Sequence, residues 1–274
     1  MDRQNINKCL CAWYAEKFAK TTKGGKIVPN YPSNPHVVPL LEKLTGAQLE
    51  QLQNGSGNPI AEMYQINSSA GLVVNFFKLF ELTHKGVVVE FEWNESIPLK
   101  DSPAPANIDA KYEIEDTIYF IEGKFLEPYC DNAKPNSKSY KDTSRYPFDD
   151  NKEEWLSLLN HDTEFKYFDY AQLCRHLLAI YRHTLENPTL YQNKRIVLQS
   201  LCWQMTNRFQ DKYKELELPV KDMEDRCIVL ADEKRRASKY FNDFLKEIGW
   251  EQCTFETKSY NERINDIKES PSST

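Results

Sequence analysis

No part of this chain constrains its fold as tightly as Ala106-Asn-Ile-Asp-Ala-Lys-Tyr-Glu-Ile-Glu-Asp-Thr-Ile-Tyr-Phe-Ile-Glu-Gly-Lys124. Tyr112 and Ile114 stand on one side of the polar pair Glu115-Asp116, and Ile118, Tyr119, Phe120 and Ile121 on the other. β-branched and aromatic residues around a short polar pair predict two antiparallel strands closed by a tight turn. If Glu115 and Asp116 form the loop, Ile114 faces Thr117 and Asp109 faces Glu122. Directly opposed residues share a sheet face, with Cβ atoms about 4.5–5.5 Å apart. Lys124, two residues beyond Glu122, points to the same face because side chains alternate along a strand. The hairpin therefore sets two carboxylates beside one ammonium.

Like charges opposed across a sheet are destabilising unless something compensates for them. A divalent cation would, and Mg²⁺ is commonly held by one or two carboxylates completed by phosphate oxygens and water. A lysine alongside can position or deprotonate a bound water and stabilise charge building on a phosphorus centre. The tripeptide Glu-x-Lys is not diagnostic by itself, since Glu164-Phe165-Lys166 and Glu256-Thr257-Lys258 also occur. Neither of those copies follows a strand that carries an aspartate at the paired position.

The 274 residues suffice for one large domain or two small ones. No apolar run approaches the roughly 18 residues that would span a bilayer, so no membrane partner is expected. The N-terminal segment lacks the basic-then-apolar pattern of a signal peptide, which makes a cytoplasmic location the expectation. Seven cysteines without framework spacing read as free thiols. Cys9-Leu10-Cys11 and the histidine spacing do not build a zinc site. A net charge of −6 argues against non-specific nucleic-acid binding over the whole surface, though not against a local basic groove.

Leu10, Trp13, Tyr14 and Phe18 recur at helical spacing, and Gly24-Gly25 ends that pattern. Prolines 29, 32 and 35 break regular structure before a short helix from Val38 to Leu44 and a further piece from Ala47 to Leu52. Ser68-Ser69 caps an apolar helix from Gly71 to Phe80. Val87–Trp93 reads as a strand with Val88, Glu90 and Glu92 on one face and Val87, Val89, Phe91 and Trp93 on the other. Residues 128–163, rich in proline, serine, lysine and tyrosine, are either a substrate-handling insertion or a solvated excursion. Phe168–His183 forms a helix, Lys194–Trp203 a strand, Cys227–Ala231 a shorter strand, and Asp232–Ile248 a helix stopped by Gly249. His176 and His183 are read as hydrogen-bonded core members and Glu127 as a strand end. Helices, three strands, helix, strand and further elements together make a mixed α/β sandwich.

The strand with Glu92, the hairpin with Asp109 and Glu122-Gly123-Lys124, the helix from Gln172 and the strand near Ile196 resemble the PD-(D/E)XK nuclease superfamily. More narrowly, Ser68-Ser69, Asn75, Phe91-Glu92, Ile121-Glu-Gly-Lys-Phe-Leu-Glu127 and Gln172-Leu-Cys-Arg-His176 are similar to a bacterial branch of restriction-endonuclease-like proteins. The chain departs from the superfamily in having Ile108 before Asp109, the nearest upstream proline being Pro105. It departs from the branch in having Ala70 where glutamine often follows the serine pair. The resemblance implies an α/β fold with a restriction-endonuclease-like core: a mixed central sheet flanked by helices in αβββαβ order. Residues 1–60 would form an N-terminal helical extension packed on that core, and residues 61–274 the nuclease-like domain.

By the same resemblance Asp109, Glu122 and Glu92 would bind the metal, Mg²⁺ with Mn²⁺ as its substitute. Lys124 would assist the water, and Gln172 would approach the site as a lesser catalytic residue. The expected function is metal-dependent hydrolysis of phosphodiesters, as a DNA endonuclease of restriction, defence or repair type. The expected partner is nucleic acid, DNA before RNA, with a homodimer among the expected assemblies. The alternatives are a catalytically silent nuclease fold serving binding or assembly, and a different phosphoryl-cleaving enzyme acting on a nucleotide or RNA end.

Overall fold

The computed structural model describes residues 4–6, 8–10, 12, 22–23, 26–27, 43–55, 59–63, 68–101, 104–205, 207–217 and 221–269. At its centre is a five-stranded mixed sheet of β1 (Val89–Trp93), β2 (Ile108–Ile114), β3 (Thr117–Lys124), β4 (Arg195–Cys202) and β5 (Cys253–Ser259), in that spatial order. β1–β2 and β2–β3 pair antiparallel, while β3–β4 and β4–β5 pair parallel. The turn is the expected one. Ile114 pairs with Thr117, Ala110 pairs with Ile121, and Glu115 takes the left-handed conformation (φ 55°) that two-residue hairpin loops favour.

Both sheet faces are covered by helices. On one lies α2 (Ser69–Thr83), whose Val73, Val74, Phe77 and Phe80 are buried with Val89, Phe91, Ala110, Tyr112, Ile121 and Leu201. Ser68 caps it as expected, its hydroxyl accepting from the Gly71 N–H at 2.9 Å. On the other face, α4 (Tyr170–Glu186) buries Leu173, Leu177 and Ile180 with Ile118, Phe120, Ile196 and Leu198. Residues 128–163 pack into this second layer. They carry α3 (Lys152–Asn160), with Trp155, Leu158 and Leu159 buried, so the segment is no solvated excursion.

The two edge strands are capped by side chains. α1 (Gly46–Asn54) supplies Gln48, which donates to the Val89 carbonyl at 2.8 Å, and Gln51, which accepts from the Phe91 N–H at 3.0 Å. At β5, Asn242 both donates to and accepts from the Phe255 backbone at 3.0 Å. Exposed strand edges invite intermolecular pairing, and these amides occupy the groups that would do it.

Two expectations require correction. Cys227–Ala231 is not a strand, because α6 (Lys221–Glu247) runs through it after α5 (Asn207–Glu215). Met223, Leu230, Ala237, Phe241 and Phe244 recur at helical spacing and bury one face, leaving Ile228 and Val229 exposed. A five-residue apolar run fits either period, and the longer pattern decides it. Gly249, at φ 69°, does stop the helix. Nor does β1 alternate throughout: Glu92 has φ 51°, and Phe91 and Trp93 fall in the cores on opposite sides of the sheet.

Most of the N-terminal expectations, including the Val38–Leu44 helix, lie outside the described residues. Ile6, Cys9 and Leu10 are described and buried in the α4-side core. Among the described residues no helix is long and apolar enough to cross a membrane, and the six described cysteines are free thiols.

Candidate active site

The site forms where the hairpin opens. Backbone pairing of β2 with β3 ends at Ala110–Ile121, whereas β3 stays paired with β4 as far as Lys124–Cys202. One position past the last β2–β3 pair, the Asp109 side chain takes over from the ladder and its Oδ2 accepts from the Gly123 N–H at 2.7 Å. On the other side of β2, Phe91 pairs with Ala110 and Trp93 with Ile108, so the irregular Glu92 falls opposite Asp109. Glu92, Asp109 and Glu122 thus occupy one row across three adjacent strands.

Glu122 is almost fully buried, and both of its oxygens are taken. Oε1 lies 2.8 Å from Lys124 Nζ and Oε2 2.9 Å from His176 Nε2. An ionised carboxylate only accepts, so Nε2 carries the imidazole proton in this contact. Burial alone would raise the Glu122 pKa, but the Lys124 charge and the His176 contact outweigh it and hold the group down to about 2. Lys124 Nζ also donates to Gln172 Oε1 at 2.7 Å and lies 3.9 Å from Asp169 Oδ2. Burial pulls its pKa down, but the surrounding Glu122, Asp169 and Asp109 charges outweigh that and raise it above the usual lysine value. Asp109 goes the other way: burial, then Glu122, with Glu92 adding to it, pushes its pKa well above the usual carboxylate range against the pull of Lys124.

All five sequence-derived candidates therefore gather at one place. Asp109 and Glu122 do not stand as two free carboxylates side by side, because Asp109 bends to the strand end and Glu122 is clamped on the α4 side. Glu92 packs against the end of α1, where a Cβ on Gly55 would stand 2.6 Å from Glu92 Cγ. Two neighbours were missed. His176 is buried and hydrogen-bonded as expected, but its partner is Glu122, and its i+4 spacing from Gln172 already puts the two on one helix face. Asp169, the N-cap of α4, reaches Lys124 from the helix start. His183 stays away from the site and pairs with Tyr191 at 2.7 Å. Glu127 ties the end of β3 to α2, accepting from the Ser69 hydroxyl and the Phe125 N–H.

A cleft of about 1070 Å³ opens beside these groups. Its walls include Glu122, Lys124 and Asp169, with Lys134, Arg175 and Arg226 supplying positive charge. Arg226 is fixed over the Tyr167 ring at 3.9 Å and donates to the Asp131 carbonyl at 2.9 Å. Tyr167 is held in turn by Glu233, whose carboxylate accepts from three successive backbone N–H groups, those of Lys166, Tyr167 and Phe168.

No group of three or more His, Cys, Asp or Glu side chains among the described residues is gathered closely enough to hold a metal ion. The donors that are near one another, Asp109 and Glu122 with Glu92 beside them, are hard carboxylate oxygens. That set fits Mg²⁺, which takes one or two protein carboxylates and keeps water and phosphate for its other positions.

The family model described as "Restriction Endonuclease associating with ARP" matches residues 13–262. No curated protein and no solved structure matches the chain.

Proposed function

Taking as premise that the chain belongs to this restriction endonuclease family, we propose that it is a metal-dependent nuclease of the PD-(D/E)XK type that hydrolyses phosphodiester bonds in DNA. The observation that carries the reading is the fork at which Asp109 bridges to Gly123 while Glu122 and Lys124 face a cleft with three further cations. The mixed sheet with α2 and α4 on opposite faces supports a restriction-endonuclease-like core.

In this reading Asp109 and Glu122, with Glu92 as a third donor, would hold Mg²⁺ or Mn²⁺. The ion would supply Lewis acidity toward the scissile phosphate and its attacking water. With no cation bound, the carboxylates of Glu122, Asp169 and Asp109 raise the Lys124 pKa and favour its charged form. In the loaded site it would orient the water and offset charge on the phosphate oxygens. Gln172 Oε1 accepts from the ammonium at 2.7 Å and shares it with Glu122. Arg175, Arg226 and Lys134 line the path of the phosphate backbone.

The test is cleavage of plasmid and linear duplexes with Mg²⁺ or Mn²⁺, for the wild type and for Lys124→Ala and Asp109→Ala. Loss of cutting in both variants, with unchanged circular dichroism, is the expected result. A wild type that cuts neither DNA nor RNA with either metal overturns the proposal.

A second reading is a silent nuclease fold used for binding or assembly, favoured by the double clamp on Glu122. Calorimetry separates the two. Mg²⁺ binding lost in Asp109→Asn and Glu122→Gln supports the enzyme, and unaltered affinity supports the silent fold.

A further inference from the structure

Residues 131–135 all line the cleft, and the segment from there to Asn136 holds an arginine at each end. At one end the Asp131 carbonyl accepts from Arg226 Nη1 at 2.9 Å, with the Tyr167 ring 3.9 Å from the guanidinium carbon. At the other, Asn136 Oδ1 accepts from Arg175 Nη1 at 3.0 Å, and the Tyr140 ring lies 5.9 Å away. Lys134 stands between the two anchors in the chain, exposed and lining the same cleft. The segment itself is pinned. Asp162 accepts from the Asn136 N–H at 2.7 Å, and the Lys166 carbonyl accepts from the Ala133 N–H at 2.7 Å. Lys141 Nζ, 3.0 Å from Asp162 Oδ1, neutralises that carboxylate.

These anchors hold the guanidinium groups without cancelling their charge. Arg145, Arg182, Arg235 and Arg236 each have a carboxylate oxygen within 4 Å. Among the described residues Arg175, Arg226 and Lys134 have none. Arg226 is only 9% exposed, so its charge is carried at a desolvation cost that no paired acid offsets. The neutral anchor at Asn136 is unfavourable in a similar way. Its Nδ2 is buried with no partner, whereas an aspartate there would accept from Arg175 and leave no orphan donor. Stability alone favours the carboxylate; a ligand that needs the arginine's charge favours the amide. Of the acids lining the cleft, Glu122 is taken by Lys124 and His176, and Glu127 by the Ser69 hydroxyl and the Phe125 N–H. That leaves Asp131 and Asp169 against the three cations.

We propose that residues 131–136, with Arg175 and Arg226, form a preformed phosphate subsite, distinct from the groups that would hold the cation and able to bind without it. Its ligand is a phosphate of the nucleic acid other than the scissile one, gripped by charge-assisted hydrogen bonds from the guanidinium groups and Lys134. The start of the 128–163 segment is thereby a substrate-holding element. The identity of the ligand as nucleic acid rests on the nuclease reading, whereas the arrangement of the cations does not.

The test is binding of a short fluorescent DNA, as single strand and as duplex, followed by anisotropy in EDTA over a range of salt for wild type, Lys134→Ala, Arg175→Gln and Asn136→Asp. Wild type is expected to bind, and each substitution to weaken binding and lower the slope of log K against log salt by about one. Asn136→Asp keeps Arg175 in place and quenches its charge, so a purely structural arginine would leave the affinity at the wild-type value. Lys134 is exposed, so its substitution tests the subsite even where a buried variant unfolds. Wild-type affinity and slope in both Lys134→Ala and Asn136→Asp overturn the proposal, as does a wild type that binds no DNA without metal. A protein that binds in the expected way but cuts nothing with Mg²⁺ or Mn²⁺ removes the nuclease reading and leaves the subsite standing. Strands with a 5′-phosphate and a 5′-hydroxyl separate the two sources of the ligand. A loss confined to the phosphorylated strand assigns the subsite to a terminal phosphate, and equal losses assign it to an internal diester.

Discussion

Gly123→Ala adds one methyl group at the most crowded point of the site. The new Cβ would stand 2.3 Å from Val73 Cγ2 and 2.6 Å from Tyr260 Oη, against the 3.5–4.0 Å at which non-bonded carbons rest. Neither neighbour yields easily. Val73 is a β-branched residue on α2 at 2% exposure, and Tyr260 is wedged against Phe76. Overpacking of this kind costs about 1–3 kcal/mol. Replacing glycine by alanine inside a strand returns roughly 0.5–1 kcal/mol, so a net loss of about 1–2 kcal/mol is expected in urea unfolding. Relief would push β3 away from α2 and stretch the Gly123 N–H bond to Asp109, so cleavage should fall by more than the stability loss accounts for. In a Val73→Ala, Tyr260→Phe background both nearest atoms are gone, and the Gly123→Ala penalty should shrink to near zero or change sign. A Gly123→Ala variant as stable as wild type, or a penalty of the same size in both backgrounds, would refute the account of why glycine stands there.

Glu233→Ala removes the acceptor shared by three backbone N–H groups. We expect a loss of about 3–5 kcal/mol, read from denaturant midpoints, together with faster hydrogen exchange at residues 166–168. Glu122 has its pKa depressed in the folded state, so the stability it contributes is present above its ordinary value of 4.5 and is lost as pH falls from there toward about 2. Glu122→Gln should flatten that limb of the stability–pH curve, and parallel curves for the two proteins would count against the ion pairing. Asn242→Ala uncovers the Phe255 N–H and carbonyl at the β5 edge. It should cost about 1–3 kcal/mol and increase concentration-dependent association measured by light scattering.

The hairpin was legible because three signals agreed: β-branched and aromatic residues, a two-residue polar turn, and apolar flanks that pinned the register from Ile114–Thr117 back to Ala110–Ile121. Legibility ended one residue later. The period of two presumes a regular strand, whereas Glu92 at φ 51° turns β1 and the Asp109 side chain replaces a ladder bond. Cys227–Ala231 misled for a different reason, since a run so short carries no period and only Met223 and Phe241 on either side betray the helix. Tyr260 gave no local signal, and Asp169 gave only that of a helix cap. One sits 137 residues after Gly123 in sequence and the other 45 residues after Lys124, and only the sheet order and the start of α4 bring them in.

The double clamp on Glu122 can be turned into a test of Gln172. For a cation to bind at Glu122 Oε1, Lys124 must give up a contact of 2.8 Å, and it can do so cheaply only if its other partners stay in place. Gln172 Oε1 at 2.7 Å is the nearer of these, with Asp169 at 3.9 Å behind it. Gln172→Ala removes the nearer partner from a half-buried position, so the fold should lose little, under about 1 kcal/mol. Without Gln172 the ammonium rests more firmly on Glu122 and competes with the metal. A charge-assisted hydrogen bond of about 1–2 kcal/mol then corresponds to a roughly 5- to 30-fold weaker Mg²⁺ affinity by calorimetry. Gln172→Asn, one carbon shorter, should fall between the two. If Gln172→Ala binds Mg²⁺ as wild type does, or more tightly, Lys124 does not move when the site is loaded and the clamp belongs to a silent fold.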